Sequence, residues 1–250
     1  MHAILSTHFS GRGHMAQRER SWLSESLLIV ISILVAFAID AWWSERSDRA
    51  EEHRVLSALR AEFRVNADKL PNFIANHERT AEHARALIRA LNEAGPGSRV
   101  SFEESRLMWL ISSSSTDPQR GALDAVLQSG ELRYISSQAV RERLAAWPQL
   151  IVDAAENEEL LRKIYSPMFN QALARHVNLA RIDSIPEECW RLFDERCRVG
   201  DFEIPYDTVL IGILTNLRGF SAEAAREFGL VRNEALAVVD LIDRELDALE

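Results

Sequence analysis

A run of apolar residues near the start of the chain restricts its fold more than any other stretch. Residues 27–39 are apolar except for Ser32, and tryptophans flank the run, with Trp22 before it and Trp42 and Trp43 after it. A helix from Trp22 to Trp43 would be about 31 Å long at about 1.5 Å per residue. That length matches the roughly 30 Å hydrocarbon core of a bilayer, and indoles favour its two interfaces. The sequence therefore predicts a transmembrane helix with three interface anchors.

Two other interpretations fit the same run. A cleaved signal peptide is compatible with the basic residues before it and with the A-F-A triplet at 36–38. A buried helix of a soluble protein is compatible with its apolar composition. Glu25 and Asp40 lie in the first and last turns of the span, where a carboxylate reaches the headgroups at modest cost. Since the helical pattern continues past Trp43 without a break, we expect the anchor to be retained.

One side of the predicted span carries small and polar residues. Ser32 and Ala36 form a small-xxx-small pair, a spacing that lets two membrane helices approach closely. Asp40 lies one turn further on the same side. We therefore expect this face to pack against a second copy of the chain or against another membrane helix.

The charge of the chain is unevenly distributed. The formal net charge is −9, but residues 1–43 contain three arginines and three carboxylates, so the negative excess belongs to residues 44–250. An acidic domain without a basic patch argues against nucleic acid and against an anionic membrane surface as its ligands.

Apolar residues after the span recur at helical spacing, and no strand-like alternation of useful length is present. The predicted fold is therefore all-α, with a single N-terminal transmembrane helix that continues into a stalk and a helical bundle. The predicted organisation is a polar N-terminal tail at 1–21, a transmembrane helix at 22–43, a helical stalk at 44–70 and an acidic helical bundle domain at 71–250.

Prolines, glycines and capping residues predict the ends of the helices. Pro71 is expected to begin a new segment that ends at Gly95-Pro96-Gly97. S-F-E-E at 101–104 has the form of a capping box, and a short helix after Pro118 is expected to stop at Ser129-Gly130. Two separate helices, at 206–217 and 221–249, are expected to finish the chain. Between them and the capping box, a long segment after Ser136 or Ser137 has an apolar stripe: Trp147, Leu150, Ile151, Ala154, Leu161, Ile164, Tyr165 and Met168.

The two cysteines, Cys189 and Cys197, leave three interpretations open. On one continuous helix they would be about 12 Å apart, too far for a disulfide, which needs Cα atoms within about 7 Å. Two reduced thiols are the simplest interpretation. A disulfide would require a helix break between them, and a zinc site would require ligands that no Cys or His pair supplies at the usual spacing.

No catalytic, cofactor-binding or metal-binding signature emerges from the sequence. His77 and His83 are six residues apart, rather than the four that place two imidazoles on one helix face. The serines at 112–115 have no G-x-S-x-G context, and His176 stands alone. We therefore predict no cofactor.

A resemblance to a known family adds to this interpretation. The stretch S-E-x-L-L-I-V-I-S-I-L-V-A-F-A-I-D-A-W-W-S-E-R resembles the N-terminal signature of a widespread bacterial family of uncharacterised single-pass membrane proteins, classed as a domain of unknown function. The matching positions are Glu25, Ile33, Leu34, Ala36, Trp42, Glu45 and Arg46, while Ser32 replaces a glycine and Asp40-Ala41 an asparagine pair. L-Q-S-G-E-L-R-Y-I at 127–135 and N-L-R-G at 216–219 resemble two later motifs. The resemblance implies a membrane helix and a helical domain but no activity.

The preferred functional hypothesis is a membrane-anchored, non-enzymatic interaction or sensory module in a bacterial inner membrane. A membrane-tethered enzyme with its site inside the bundle is the alternative. Arginines flank both sides of the span equally, but a short leading tail and four acidic residues at 45–52 favour a cytoplasmic N-terminus and a periplasmic domain. A cluster of polar residues in one pocket would favour the enzyme, whereas an apolar groove or an exposed helix face would favour the interaction module.

Overall fold

In a computed structural model of the protein, residues 14–112, 114–184 and 200–249 are described, with side chains from residue 26 onward. The helices are α1 (His14–Ala94), α2 (Glu104–Ile111), α3 (Gly121–Ser129), α4 (Gln138–Leu160), α5 (Ser166–Leu173) and α6 (Thr208–Leu249). The strands are β1 (Arg99–Glu103) and β2 (Asp201–Pro205). Shorter segments are two 3₁₀ helices, Glu131–Tyr134 and Leu179–Ser184, and a π-helix, Leu161–Tyr165. The predicted all-α class is confirmed, with one short strand pair added to it.

Contacts along the chain divide it into two compact units, Met1–Glu52 and His53–Glu250. In the first unit, the apolar side chains of α1 between Leu27 and Trp43 are exposed. Among the described residues, one helix is long and apolar enough to cross a membrane, and it is this one. A signal sequence meets the same criterion of length and composition.

The second unit contains two hydrophobic cores. The first core joins α1, α3, α4 and α6 through side chains that include Leu56, Phe63, Phe73, Trp147 and Phe228. The second core joins α1, α2, α5, α6 and both strands through side chains that include Leu87, Leu107, Phe169, Phe202 and Leu214. Along α1 the first core precedes the second, and along α6 the order is reversed. The two longest helices of the bundle are therefore antiparallel.

The predicted stalk overlaps the bundle. Leu56, Leu59 and Phe63 fall inside the segment assigned to the stalk, yet all three are fully buried in the first core. The Phe63 ring packs on the Trp147 ring with 4.6 Å between centroids. Residues from His53 onward are thus part of the compact bundle rather than a free connection to it.

Pro71 does not begin a new helix, contrary to the sequence expectation, but lies inside α1. A proline has no N–H group, so the carbonyl of Ala67, four residues earlier, loses its helical hydrogen-bond donor. Arg232 of α6 replaces that donor, because its Nε lies 3.3 Å from the Ala67 oxygen. A side chain from a distant part of the chain therefore satisfies the carbonyl that the proline leaves unbonded.

The expected capping box at 101–104 is wrong. These residues fall in β1 and the start of α2, where Glu103 is the N-cap and makes no side-chain capping bond. The Ser101 hydroxyl instead donates to Asp201 Oδ2 at 2.9 Å. β1 and β2 pair antiparallel with Phe102 opposite Phe202, and both rings are buried in the second core. Burial of these two rings outweighs the local capping preference.

The apolar stripe predicted for the long segment is correct only as far as the π-helix. Trp147, Ile151 and Ala154 are buried, but Ile164 and Met168 are 44% and 45% exposed. In the π-helix the N–H of the residue at 166 donates to the Leu161 carbonyl, five residues back instead of four. One extra residue per turn rotates the following helix, so Phe169 occupies the buried face that the α-helical period assigns to Met168.

α6 is one continuous helix, not the predicted pair of helices. Gly219 lies where the break was predicted, but it is in the helix interior with no neighbour near the position of an added Cβ. Leu217, Ser221 and Ala224 are buried on either side of it at helical spacing. An exposed glycine costs a helix about 1 kcal/mol, which continuous burial on the opposite face offsets.

Two side chains of α1 fasten α3 and the loop before it. The Glu62 carboxylate accepts hydrogen bonds from the backbone N–H groups of Ala122 and Leu123, at 2.6 and 3.1 Å. Asn66 makes a reciprocal pair with the Gln119 backbone at 2.7 and 2.8 Å. The N-cap residue of α3 makes no side-chain capping bond. Glu62 therefore caps α3 from another helix, and its negative charge also complements the helix dipole.

Replacing Glu62 with glutamine should destabilise the bundle. The amide keeps the size of the side chain, but it loses the charge and can accept fewer hydrogen bonds, so the free energy of unfolding should fall by about 1–2 kcal/mol. Urea unfolding of the full chain in detergent micelles, followed by circular dichroism, measures the change. Glu78→Gln, on the exposed face of the same helix, should change it by less than about 0.5 kcal/mol. Equal effects of the two substitutions would contradict the capping role.

Candidate functional site

A cluster of polar side chains lies at the level of the bundle where the first core meets the second. On α1, His77 follows Phe73 of the first core and precedes Ala84 of the second. On α4, Glu158 lies between Ala154 of the first core and Leu161 of the second. These polar side chains line one small pocket, which we call the polar pocket: His77, Thr80, Ser114, Glu158, Ser166 and Ser221.

The polar pocket is small. The space that the centre of a water molecule can occupy in it is about 10 Å³, which is about what one buried water requires. Pockets that bind drug-sized ligands are far larger, roughly 300–1,000 Å³. The chemistry of the pocket is therefore that of its own side chains, of single water molecules and of protons.

His77 is the basic group of the pocket and is only 5% exposed. The Phe73 ring contacts it edge-on, with 4.4 Å between ring centroids. Burial lowers the pKa of His77 from 6.5 to about 4, and a hydrogen bond with the Ser114 backbone opposes this shift in part. Its Nε2 has no hydrogen-bond partner within the described residues. At neutral pH His77 is therefore an uncharged imidazole.

Glu158 is the acidic group of the pocket and is 7% exposed. Burial raises the pKa of its carboxyl above the ordinary value, and the charges of Glu159 and Asp117 raise it further. Arg162 opposes the shift, with its Nε 3.9 Å from Glu158 Oε1. The ionised carboxylate is thus destabilised inside the bundle despite the neighbouring guanidinium.

Hydrogen bonds attach the outer wall of the pocket to α1. Asn76 Nδ2 donates to the Ser114 hydroxyl at 3.3 Å. The Thr80 hydroxyl lies 3.0 Å from the Asn76 carbonyl and 3.2 Å from the Trp109 carbonyl, so both are acceptors within its reach. These contacts hold the segment after α2 against the face of α1 that carries His77.

The π-helix and α6 complete the pocket. Leu161 and Arg162 begin the π-helix, Ser166 follows it, and all three line the pocket. π-helical turns are uncommon and are frequent at functional sites. Ser221 of α6 is 1% exposed, and its hydroxyl has no hydrogen-bond partner in the described part of the chain. The π-helix and a buried serine of α6 without a partner among the described residues therefore meet at this pocket.

The pocket has polar groups but not the geometry of a nucleophilic enzyme. A serine nucleophile needs a hydrogen bond to its base, whereas both Ser221 Oγ and His77 Nε2 lack partners among the described residues. Nor do three His, Cys, Asp or Glu side chains of these residues converge as metal ligands would. The arrangement can accept and release protons and can hold a bridging water.

A second histidine has a structural role. His176 Nε2 lies 2.7 Å from Asp207 Oδ2, and the other carboxylate oxygen of Asp207 caps α6 through the N–H groups of Val209 and Leu210. Burial raises the pKa of Asp207. The hydrogen bonds with His176, Leu210 and Val209, of which that with His176 is the strongest influence, together lower the pKa by more, so the net shift is downward. His176 therefore supports the start of α6 and lies outside the polar pocket.

The residues predicted for the membrane helix are described in part. Ser32, Ala36 and Asp40 are exposed along α1, as are Trp42 and Trp43. The Ser32 hydroxyl donates to the Leu28 carbonyl at 2.8 Å, so it is bonded within its own helix. Three predicted residues lie outside the described side chains: Trp22, Cys189 and Cys197.

Sequence analysis missed the polar pocket, although the sequence contains a signal for it. Glu158 falls four residues after Ala154 and three before Leu161, so it occupies a position on the buried stripe of α4. Ser221 interrupts the stripe of α6 in the same way, between Leu217 and Ala224. A polar residue at a buried position of two long helices indicates a pocket, but only the fold shows that the positions coincide.

Comparisons of the chain with protein-family models, with curated proteins and with solved structures give no match. The resemblance of the membrane helix to a bacterial family therefore stays a prediction.

Adjacent glutamates give a test of the pocket's electrostatics. Folding raises the pKa of Glu158, so its contribution to stability is complete below its ordinary pKa and is lost as the pH rises through the folded value. Glu158→Gln should therefore stabilise the full chain at neutral pH, and the gain should vanish on acidification. Thermal unfolding across a pH series measures it.

Glu159→Gln is the matched control, because a hydrogen bond from Lys163 and its charge lower the pKa of Glu159. This exposed glutamate should contribute stability only above its ordinary pKa, so its loss should never stabilise the protein at neutral pH. A stabilising Glu159→Gln, or a destabilising Glu158→Gln, would contradict the assigned environments.

Proposed function

We propose that this protein is a membrane-anchored, non-enzymatic helical module that senses a signal or binds a partner, with residues 22–43 crossing a bacterial inner membrane once. The observation that carries the proposal is the exposed apolar surface of α1. Its large apolar side chains from Leu27 to Trp43 are 49% to 68% exposed. Soluble proteins rarely expose an apolar surface of this extent, and a bilayer would cover it.

The C-terminal end of the run supports a position at a membrane interface. The Arg46 guanidinium lies over the Trp42 ring, 6.0 Å from its centroid, and both residue types are common where headgroups meet hydrocarbon. A charged helix follows at once, with an ion pair of 2.5 Å between Arg49 and Glu45. The change from apolar to charged surface within one turn is what a membrane boundary requires.

The stripe of Ser32, Ala36 and Asp40 supports an interaction through the membrane helix. Because the Ser32 hydroxyl donates to the Leu28 carbonyl, a partner helix can approach without leaving a hydrogen-bond donor unsatisfied in lipid. The partner we propose is a second copy of the chain, and a different membrane helix would use the same face.

The polar pocket supports the sensory half of the proposal. It contains a buried base and a buried acid on two helices that reach from one core to the other. A buried titratable group between two packed regions can bias their arrangement when its charge changes. α1, which supplies His77, is also the helix that contains the apolar run.

A membrane-tethered enzyme is the second candidate, and the polar cluster is the observation that favours it. Two observations argue for the sensory module instead. The pocket leaves only about 10 Å³ for the centre of a water molecule, and no nucleophile–base hydrogen bond is present among the described residues. The resemblance of the membrane helix to a bacterial family supports a bacterial inner membrane as the location.

Single-cysteine crosslinking tests association through the stripe, in a chain with Cys189 and Cys197 replaced by serine. Ser32→Cys should form a disulfide-linked dimer in membranes, whereas Leu34→Cys should not, because two residues along a helix turn the side chain by about 200°. Adding Ala36→Leu to the Ser32 variant should reduce the dimer several-fold, and adding Leu34→Ala should not. Equal crosslinking at 32 and 34, or none at either, would contradict the proposed face.

The orientation is tested with reporters fused after residue 249. We propose that the bundle is periplasmic, because four acidic residues follow the span within residues 45–52. A C-terminal alkaline phosphatase fusion should then be active, and a matched green fluorescent protein fusion should be dark. A stable but inactive phosphatase fusion, together with a bright green fluorescent protein fusion, would reverse the orientation.

A further inference from the structure

The polar pocket contains a buried imidazole, His77, whose Nε2 has no hydrogen-bond partner among the described residues. We infer that the pocket is an acid-responsive joint: protonation of His77 places a positive charge between the two cores and releases residues 114–117 and the π-helix from α1. This inference deepens the proposed sensory function and rests on it, since it names the proton as the signal.

The geometry around His77 does not accommodate an imidazolium. A protonated histidine has two N–H donors and needs an acceptor for each. Its Nε2 has no partner in the described chain, and a phenylalanine edge covers one side of the ring. Protonation would therefore leave a buried charge with an unsatisfied donor, a state that the small pocket disfavours strongly.

The other polar groups that face the pocket are mostly hydroxyls. The hydroxyls belong to Thr80 of α1, to Ser112 and Ser114 of the segment after α2, to Ser166 of α5 and to Ser221 of α6. The charged groups are Glu158 and Arg162, with Asp117 and Glu159 acting on Glu158 from outside.

Acidification changes the charge balance of these groups. When Glu158 is ionised it balances Arg162, and His77 is neutral above its ordinary pKa of 6.5. Because burial raises the pKa of Glu158, proton uptake by this carboxyl favours the closed state and opposes the effect of His77, although it also leaves Arg162 without its balancing charge. A protonated His77 then faces Arg162 as a second positive charge, and opening to water is the way to reduce the repulsion.

The pH range follows from the direction of the shift. Folding lowers the pKa of His77 from 6.5 to about 4, so the open state binds a proton more readily than the closed state. The closed state is fully stable above its ordinary pKa of 6.5, and it loses stability as the pH falls from there towards about 4.

The response should be confined to the joint. The wall of the pocket is attached to α1 by polar contacts such as that between Asn76 and Ser114, 3.3 Å long. The two cores that flank the polar pocket consist of apolar side chains, which do not titrate. Local opening at the weakly held segment therefore precedes unfolding of the whole bundle.

Hydrogen exchange of the full chain in lipid nanodiscs tests the inference, at about pH 7.5 and about pH 5 and corrected for intrinsic exchange rates. In the wild type, exchange of residues 114–117 and 158–166 should increase about tenfold in acid, while residues 55–67 of the first core should change by less than about twofold. His77→Gln, which keeps a polar side chain of similar size but cannot be charged, should abolish the increase. His83→Gln, buried on the same helix beside Trp109 and outside the pocket, should retain it.

An acid response that is absent in the wild type, or that persists in full in His77→Gln, would overturn the inference. If His77→Gln fails to fold, imidazole signals of the histidine-labelled His83→Gln chain decide instead, since the buried histidine left in it, His77, should remain neutral well below pH 6.5. Failure to see it would equally overturn the inference. These measurements require neither helix pairing nor a periplasmic bundle, so their failure is distinguishable from failure of the crosslinking and fusion experiments.

Discussion

The hydrogen bond from Arg232 to the Ala67 carbonyl is the contact on which the continuity of α1 depends. Without a donor from outside, Pro71 would leave a carbonyl unbonded next to the first core, and a helix commonly kinks or ends at such a point. Because α6 supplies the donor, α1 passes through the proline and carries side chains into both cores. One helix thus forms the apolar run, a wall of each core and one side of the polar pocket.

The elements that sequence analysis predicted correctly are those in which local chemistry and tertiary packing agree. The helix after 118 ends at Gly130, whose φ of +74° suits a glycine, and the helix before Gly95 ends where glycines follow. The incorrect predictions arise where a distant residue changes the outcome. Pro71 is tolerated because of Arg232, and the box at 101–104 is extended because β2 pairs with it. Neither partner is visible in the local sequence.

The π-helix explains another incorrect prediction and also limits what could be known of the candidate site. A period of 3.6 residues predicts Met168 on the buried face, but the π-helix adds one residue to a turn and places Phe169 there. Glu158 and Ser221 are recognisable in the sequence as polar interruptions of apolar stripes. Their convergence with His77 is a property of three helices that are far apart in the chain, so single-helix patterns could not reveal it. The packing face of Ser32, Ala36 and Asp40 stays a prediction, because all sides of α1 are exposed along this stretch.

The order of the elements along the chain has a consequence for biosynthesis. Leu56, Leu59 and Phe63 of α1 share the first core with Val231, Val238 and Ile242 of α6, the last helix described. A ribosome therefore completes the apolar face of α1 long before it makes the α6 residues of the same core, and the two strands at the second core are also far apart in the chain, at 99–103 and 201–205. During that interval the nascent chain exposes an apolar helix face that can aggregate with other chains. Early insertion of the preceding run into a bilayer would confine each nascent chain to its own site and keep such faces apart until α6 arrives.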